Sequence, residues 1–233
     1  MKTYQPFQIW QLVNETIYGK QNSVVYTRTA DLVTKVSAYA KLINESARPD
    51  ARPKEVGKLR KNAGICFSWC MATANRRGIP LDMVVWELFR YRCPYCGNCP
   101  CSREDGPRRE FIGPEIAPKP DTLWKYQQMF YRIYPHNTLE RSALHLIEES
   151  IELIEAVQAL DHGAVHPRVV RKELVDVIAN LFGVVNCADI HLENTLYDMY
   201  HDGCHRCHRT PCDCGFTLSA GSTSIPPTQK SHG

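Results

Sequence analysis

The sequence predicts an all-α protein made of two consecutive copies of one helical unit. Apolar residues recur at steps of three and four, which is typical of helices, and no stretch shows the alternating pattern of a strand bounded by turns. Two short cysteine-rich stretches also match each other at a fixed distance along the chain. With 233 residues, of which 43% are hydrophobic, the chain can bury a substantial core.

The cysteine-rich stretches define the repeat. Each of three cysteines in the first stretch has a counterpart 111 residues later: Cys93, Cys96 and Cys101 match Cys204, Cys207 and Cys212. The same shift places Trp86 opposite Tyr197 and Asn75 opposite Asn186, and it needs no gap over about seventy residues. Farther upstream the register slips, because QIWQLVNETIY resembles WKYQQMFYRIY at a shift of 116 residues. These ordered matches indicate a tandem duplication.

Composition divides the chain into four segments. The first copy covers residues 1–101 and the second covers residues 122–218. Between them, residues 102–121 contain four prolines and two glycines, which is typical of a linker. Residues 219–233 are small, polar and proline-containing, so we predict a disordered tail there.

Four helices are predicted in each copy, and the second copy shows them most clearly. Their expected ranges are 122–134, 138–160, 166–187 and 190–201. The third begins at a His-Pro pair, and proline is favoured in the first turn of a helix. In the second, apolar residues at steps of three and four form the expected apolar face: Leu144, Ile147, Ile151 and Ile154.

Carboxylates occupy matching positions on two of these helices. Glu149 and Glu152 are three residues apart and therefore project to one face. For this helix alone, a solvated acidic surface is an adequate interpretation. The next helix differs, because it is apolar nearly all round and yet carries a polar line of Glu173, Asp176 and Asn180.

A carboxylate on a buried helix needs a partner, because burying an unpaired charge is costly. Lys172 or His145 could provide an ordinary salt bridge. The alternative is a metal ion held between the two helices by oxygen ligands only, which favours magnesium. A di-iron site is less favoured, because neither Glu149 nor Glu173 is followed three residues later by a histidine.

The acidic pattern resembles the signature of the MazG-like, all-α nucleoside triphosphate pyrophosphohydrolases. In this sequence the matching residues are Glu149-x-x-Glu152, followed after twenty residues by Glu173-x-x-Asp176. The surrounding segments ALHLIEESIELIEAV and KELVDVIANLFGVVNCADIHLENTL are similar to the family as well. The resemblance covers residues 121–202 with the motif, and residues 7–92 only as a copy that lacks it.

The resemblance implies an activity and a set of site residues. Members cut a nucleoside triphosphate between its α- and β-phosphates and release a monophosphate and pyrophosphate, using Mg2+ held by four acids. The position of the motif assigns the catalytic and metal-binding roles to Glu149, Glu152, Glu173 and Asp176, with Glu148 as a neighbour that could assist. It also implies substrate contacts from Asn180 and Asn194, with Tyr197 as a further candidate. Because family members commonly assemble as dimers, the two copies are expected to pack as an internal pseudo-dimer.

The first copy lacks every one of these acids. At the shift of 111 residues, Ala38, Lys41, Asn62 and Ile65 stand where the second copy has Glu149, Glu152, Glu173 and Asp176. We therefore expect one catalytic copy and one degenerate, supporting copy. Whether the degenerate copy contributes to substrate binding stays open.

The cysteine stretches are expected to bind metal, because clustered cysteines in a chain without a signal peptide more often ligate metal than form disulfides. Four thiolates match a closed tetrahedral Zn2+ site. An iron–sulfur cluster and a redox-active dithiol are the alternatives. The predicted zinc ligands are Cys93, Cys96, Cys99 and Cys101 in the first copy, and Cys204, Cys207, Cys212 and Cys214 in the second.

Charge and hydropathy exclude some other classes of function. A net charge of +3 is too small to indicate nucleic-acid or membrane binding, and the basic residues near the cysteines are too few for a zinc-ribbon nucleic-acid binder. No apolar run could span a bilayer, so a cytoplasmic location is expected. The competing interpretation is a zinc-stabilised nucleotide-binding or regulatory module without catalysis. The base preference and any further homo-oligomer stay open.

Overall fold

The computed structural model describes residues 4–102 and 117–214, and within these ranges every regular element is a helix. This confirms the predicted all-α class. The predicted tail at 219–233 and most of the predicted linker at 102–121 lie outside the described residues. The first half contains α1 (Phe7–Val25), α2 (Thr29–Ala47), α3 (Pro53–Val56), α4 (Leu59–Arg77) and α5 (Leu81–Phe89). The second half contains α6 (Leu123–Ile133), α7 (Leu139–Asp161), α8 (Pro167–Cys187) and α9 (Leu192–Tyr200).

The helices of the second half begin and end within two residues of the predicted positions. Side chains before each helix explain where it starts. Thr122 accepts a hydrogen bond from the backbone N–H of Lys125 at 3.2 Å, and Thr138 accepts one from Arg141 at 3.3 Å. Such caps satisfy N–H groups that have no partner inside the helix. The first half departs from the prediction only in α3, a single extra turn.

The core is formed by four long helices. Helix α2 packs against α4, and α7 packs against α8 in the corresponding way. These two pairs meet through contacts of α2 with α7 and of α4 with α8. The rings of Phe67, Phe130 and Phe182 lie fully buried where the halves join, with centroids 6.2 Å apart for Phe67 and Phe182. Burying each such side chain stabilises the fold by roughly 1.5–3 kcal/mol.

Helix α7 buries a different face from the predicted one. Leu144 is 54% exposed and Ile151 is 46% exposed, so the predicted apolar face is wrong at these two positions. The helix packs against both α2 and α8, and it turns a narrower stripe of mostly small or apolar residues toward them. The buried residues of the helix are Ser142, Ala143, Leu146, Ser150, Leu153, Ala156 and Val157.

The two cysteine loops are exchanged between the halves. The N–H of Cys101, in the loop after α5, donates to the carbonyl of Ile133 at the end of α6, at 2.7 Å. The equivalent N–H of Cys212, in the loop after α9, donates to the carbonyl of Ile17 on α1, also at 2.7 Å. Each loop is therefore anchored to the first helix of the other half.

Helix α8 is strongly apolar, and most of its residues are buried in the bundle. Among the described residues, no single helix is long and apolar enough to cross a membrane. Helices α8 and α9 taken together have the length and apolar composition of a membrane span, but the chain bends by 98° where they join.

Candidate metal centres

Four carboxylates of α7 and α8 converge on one side of the second half. Carboxylate oxygens of Glu149, Glu152 and Glu173 all lie within 4.8 Å of one another. Glu173 and Asp176 are each 6% exposed, whereas Glu152 is exposed to solvent. The acidic group is therefore buried at one end and open at the other, as a site that exchanges a small ligand requires.

The side chain of Lys172 neutralises only part of the negative charge of these carboxylates. Its Nζ lies 2.9 Å from Oε1 of Glu173 and 3.8 Å from Oδ2 of Asp176. The other oxygen of Glu173, Oε2, is buried and has no hydrogen-bond partner among the described residues. His145 pairs with the exposed Glu148 instead, at 2.6 Å. The salt-bridge alternative is thus met in part, but one lysine leaves a buried carboxylate oxygen unpaired.

The raised pKa of Glu149 shows that it is unfavourable to hold these carboxylates charged and close together in a partly buried site. Burial raises the pKa of Glu149 to about 8, and the negative charges of Asp176, Glu152 and Glu173 add to the rise, while Lys172 opposes it. The metal-free site therefore keeps a proton on Glu149 at neutral pH. A divalent cation would remove the repulsion that raises the pKa, and oxygen-only ligands suit a hard ion such as Mg2+.

The carboxylates open into a cavity of about 470 Å³, which we call the acid cavity. Glu149 and Asp176 line it together with the basic side chains of Arg141 and His145. Tyr95, from the cysteine loop of the first half, also lines the cavity. Sequence reasoning missed Arg141 and Tyr95, and it considered His145 only as a salt-bridge partner. Arg141 and His145 could have been found from their spacing to Glu149 on α7, but the contribution of Tyr95 depends on the exchange of loops.

Of the other predicted site residues, Asn180 lines the acid cavity, whereas Asn194, Tyr197 and Glu148 do not. Asn180 lines the acid cavity, and its Nδ2 donates to the backbone carbonyl of Asp176 at 3.1 Å. Asn194 and Tyr197 lie on α9 and are not among the residues that line this cavity. The backbone N–H of Asn194 donates to His191, and Tyr197 stacks on His201 with ring centroids 5.4 Å apart. Glu148 is exposed and points to His145.

The second cysteine loop brings its four predicted ligands together. The sulfur atoms of Cys204, Cys207, Cys212 and Cys214 lie within 4.8 Å of one another. Two of the Sγ–Sγ distances, Cys204–Cys214 and Cys207–Cys212, are 3.9 Å. A tetrahedral ion with metal–sulfur bonds of about 2.3 Å needs sulfurs roughly 3.8 Å apart, so the loop could hold a metal such as zinc.

The pKa of Cys204 agrees with a thiolate ligand. Burial alone would raise this pKa, but hydrogen bonds from the backbone of Cys207 and from the side chain of Tyr18 lower it to about 7. A thiol with such a pKa is about half deprotonated at neutral pH, and the thiolate is the state that binds metal.

The first cysteine loop assembles only three of its four predicted ligands. Cys93, Cys96 and Cys101 lie within the distance of a common ion, with 3.7 Å between the sulfurs of Cys96 and Cys101. The structure does not bring Cys99 into this group. Its thiol donates to the carbonyl of Arg132 on α6, at 3.5 Å. The loops therefore share three ligand positions, and only the second has a fourth cysteine in place.

Comparisons with protein-family models, with curated proteins and with solved structures find no match for this chain. The family resemblance of the acidic motif therefore stays a prediction. What the described residues establish is an all-helical fold with two groups of cysteines and one group of carboxylates, each close enough together to hold a metal ion.

Proposed function

We propose that the protein is a magnesium-dependent nucleoside triphosphate pyrophosphohydrolase whose site is the acid cavity of the second half. The observation that carries the proposal is the close approach of carboxylate oxygens from Glu149, Glu152 and Glu173, together with the buried Oε2 of Glu173, which has no hydrogen-bond partner among the described residues. A buried carboxylate is stable when it binds a cation. The resemblance of the same acids to the MazG-like motif supports the same conclusion.

Glu149, Glu152, Glu173 and Asp176 would hold the magnesium. When bound there, Mg2+ would neutralise phosphate charge and lower the pKa of a coordinated water molecule. In the reaction, the oxygen of water forms a bond to the α-phosphorus and the bond from that phosphorus to the α,β-bridging oxygen breaks. Pyrophosphate leaves with the bonding electrons, and the proton of the water passes to a carboxylate of the group.

The remaining residues of the acid cavity suit the substrate. Arg141 lines the cavity with the acids, and its guanidinium group can donate hydrogen bonds to phosphate oxygens, which such groups bind well. His145 supports Arg141, because its Nε2 accepts a hydrogen bond from Nε of Arg141 at 3.3 Å. Asn180 lies next to Asp176 and can orient substrate or a ligand water. Tyr95 and Tyr134 also line the cavity, and a base can stack on an aromatic ring. The lining thus includes groups suited to phosphate and groups suited to a base.

The two halves, in this proposal, form an internal pseudo-dimer held together by zinc-bound cysteine loops. The reciprocal hydrogen bonds of Cys101 with Ile133 and of Cys212 with Ile17 support it. The acid cavity is bounded by the loop of the opposite half, which gives the degenerate half a structural part in the catalytic site. Zinc is preferred because it favours tetrahedral thiolate ligands and does not undergo redox chemistry.

The test is to incubate the purified chain with a panel of nucleoside triphosphates and Mg2+ and to measure monophosphate and pyrophosphate. We expect cleavage by the wild type and its loss in Glu149→Gln and Asp176→Asn. Glu140→Gln is the matched control, because Glu140 lies exposed in the first turn of α7 and makes the same change of charge outside the site. Circular dichroism checks that all variants are folded.

The alternative is a nucleotide-binding or regulatory module without catalysis. The contact of Lys172 with both Glu173 and Asp176 favours it, since a lysine could permanently occupy the place of a metal. Calorimetric titration with Mg2+ and a nonhydrolysable nucleotide separates the two. Binding without turnover of any nucleotide would support the module and contradict the enzyme.

A further inference from the structure

The first half retains a cavity at the position that corresponds to the acid cavity. It has a volume of about 130 Å³ and lies between α1, α2, α4 and the cysteine loop of the second half. At the shift of 111 residues, its lining residues Ile65, Tyr200 and Cys204 take the places of Asp176, Phe89 and Cys93. Small-molecule sites in proteins have volumes of about 300–1,000 Å³, so this cavity can enclose only part of a ligand, such as a heterocycle, and the rest of the ligand must lie at its rim. We call it the aromatic cavity.

The aromatic cavity has lost the chemistry of a metal site. Ala38 and Ile65 stand where the acid cavity has Glu149 and Asp176, and none of the described residues that line it is an aspartate or glutamate. Without carboxylates, the cavity offers no oxygen ligands of the kind that Mg2+ prefers. Any ligand must therefore bind through the protein side chains alone.

Aromatic rings replace the polar walls. Trp69 takes the place of Asn180, and it packs edge-on against Tyr26 with centroids 5.2 Å apart and planes at 83°. Tyr18 and Tyr200 form a second edge-to-face pair at 6.0 Å and 86°. Perpendicular pairs of this kind fix the rings in place and leave ring faces for a planar ligand to stack upon.

A buried acceptor in the wall has no partner. Asn14 lines the aromatic cavity and is 3% exposed. Its Nδ2 donates to the backbone carbonyl of Ser68 at 3.1 Å and to the Ser68 hydroxyl at 2.7 Å. Its Oδ1 is buried and accepts no hydrogen bond from any described residue. Leaving a buried acceptor unpaired is unfavourable, and a ring N–H or amino group of a ligand would satisfy it.

Positive charge surrounds the same cavity. Arg206 lies on its exposed rim, in the loop of the second half. Burial raises the pKa of the Tyr26 and Tyr39 hydroxyls, and the guanidinium of Arg206 lowers both, so this charge acts on the cavity walls. The Nζ of Lys35 lies 5.7 Å from the centroid of the Tyr26 ring. The described lining contains no aspartate or glutamate, and although the thiols of Cys204, Cys212 and Cys214 also line the cavity, Arg206 favours a negatively charged substituent at the rim where it lies.

We propose that the aromatic cavity is a second ligand site, which binds a nucleotide without a divalent metal and does not hydrolyse it. The heterocycle would stack among the aromatic rings and donate a hydrogen bond to Oδ1 of Asn14, and its phosphate would bind Arg206. The degenerate half would then bind nucleotides as a sensor, while the other half would hydrolyse them. The site does not depend on catalysis in the acid cavity.

The test measures binding of AMP, GMP, CMP and UMP to the full chain in buffer without magnesium, by calorimetry and by the quenching of tryptophan fluorescence. The wild type and Glu149→Gln should bind at least one of them equally well. Adenosine and inorganic phosphate alone should each bind more weakly than AMP, since each offers only part of the ligand.

Two variants locate the bound nucleotide. Arg206→Gln should weaken binding about tenfold, since the hydrogen bonds of a charged group are lost. Trp69→Leu should weaken it by a similar factor and reduce the quenching. Arg209→Gln is the matched control from the same loop, because Arg209 is exposed, pairs with Asp213 and does not line the cavity. It should bind within about twofold of the wild type, well short of the loss expected for a charged hydrogen bond.

Three results would overturn the inference. One is the failure of the folded wild type to bind any of the four monophosphates. Another is equal weakening by Arg206→Gln and Arg209→Gln, which would indicate general attraction to a basic loop. The third is binding lost in Glu149→Gln and kept in Arg206→Gln, which would place the nucleotide in the acid cavity. The proposed hydrolysis is measured separately with Mg2+, so either proposal can fail while the other stands.

Discussion

The acid cavity and the aromatic cavity occupy corresponding positions in the two halves, yet they differ in almost every chemically active group. Glu149, Asp176 and Asn180 line the first, and Ile65 and Trp69 stand at corresponding places in the second. Each cavity is lined by helices of one half and by the cysteine loop of the opposite half. The fold therefore depends on buried apolar residues and loop contacts that both halves keep. The carboxylates are not needed for it.

The largest expected difference between the halves concerns their cysteine loops. Because four sulfurs converge in the second loop, Cys204→Ser should remove one bound zinc per chain and destabilise the protein by about 3 kcal/mol, or lower its Tm by about 10 °C. Cys99→Ser should change neither property, because the Cys99 thiol lies outside the three-sulfur group. Elemental analysis and thermal unfolding measure both. A protein that binds no metal as purified would contradict the expectation.

Equivalent exposed positions test whether catalysis belongs to one half only. Glu152 and Lys41 correspond at the shift of 111 residues, and both are exposed, so substitution should not disturb the core. Glu152→Gln should lower the rate of triphosphate cleavage at least about tenfold, because it removes a proposed metal ligand. Lys41→Gln should keep the rate within about twofold, far from the change caused by loss of a ligand. Comparable losses in both variants would mean that the halves share one site.

The raised pKa of Glu149 predicts how the stability of the magnesium-free protein depends on pH. The folded state holds a proton on Glu149 up to a pH of about 8, whereas the unfolded chain releases it near the usual value of 4.5. The contribution to stability is therefore complete below the lower pH and is lost as pH rises through the upper one. Urea unfolding across this range should show a decline that is weaker in Glu149→Gln. Identical slopes would contradict the prediction.

The smallest expected effect concerns an ion pair that joins the halves on one side only. Arg77, at the end of α4, pairs with Asp161, at the end of α7. At the shift of 111 residues, Ala188 stands in the place of Arg77. Arg77→Gln should lower the free energy of unfolding by about 0.5 kcal/mol, as expected for a partly exposed pair. Arg48→Gln, which breaks an exposed pair within the first half, provides the comparison in urea unfolding. A loss above about 2 kcal/mol would exceed what such a pair contributes and would indicate a larger role at the junction.

The sequence predicted the helices well because their signals are local. Thr138 and the His166-Pro167 pair mark helix starts, and the cysteines mark the repeat. The apolar face of α7 was misjudged at Leu144 and Ile151, because two neighbouring helices select its buried stripe and the spacing of one helix cannot show this.

The candidate site was also predicted only in part, because local spacing indicates some of its residues and not others. The acids on α7 and α8 come from two helices adjacent in sequence, so their spacing was sufficient to predict that they meet. Tyr95 reaches the acid cavity from the other half, and no local pattern indicates that exchange. Asn194 was assigned by resemblance and is not in the lining of the cavity. Likewise, cysteine spacing could not show that the thiol of Cys99 donates to a carbonyl of α6.

The reciprocal anchoring of the loops has a consequence for the order in which the protein is completed during synthesis. The loop that ends at Cys101 is made before Ile133, the residue whose carbonyl accepts its hydrogen bond. The first half therefore emerges from the ribosome with this loop undocked, and the loop docks only after α6 has followed. The second loop, by contrast, finds Ile17 already in place when Cys212 is added. Reversing the order of the two halves by circular permutation would leave the contacts unchanged, but the other loop would then be synthesised before the helix to which it docks.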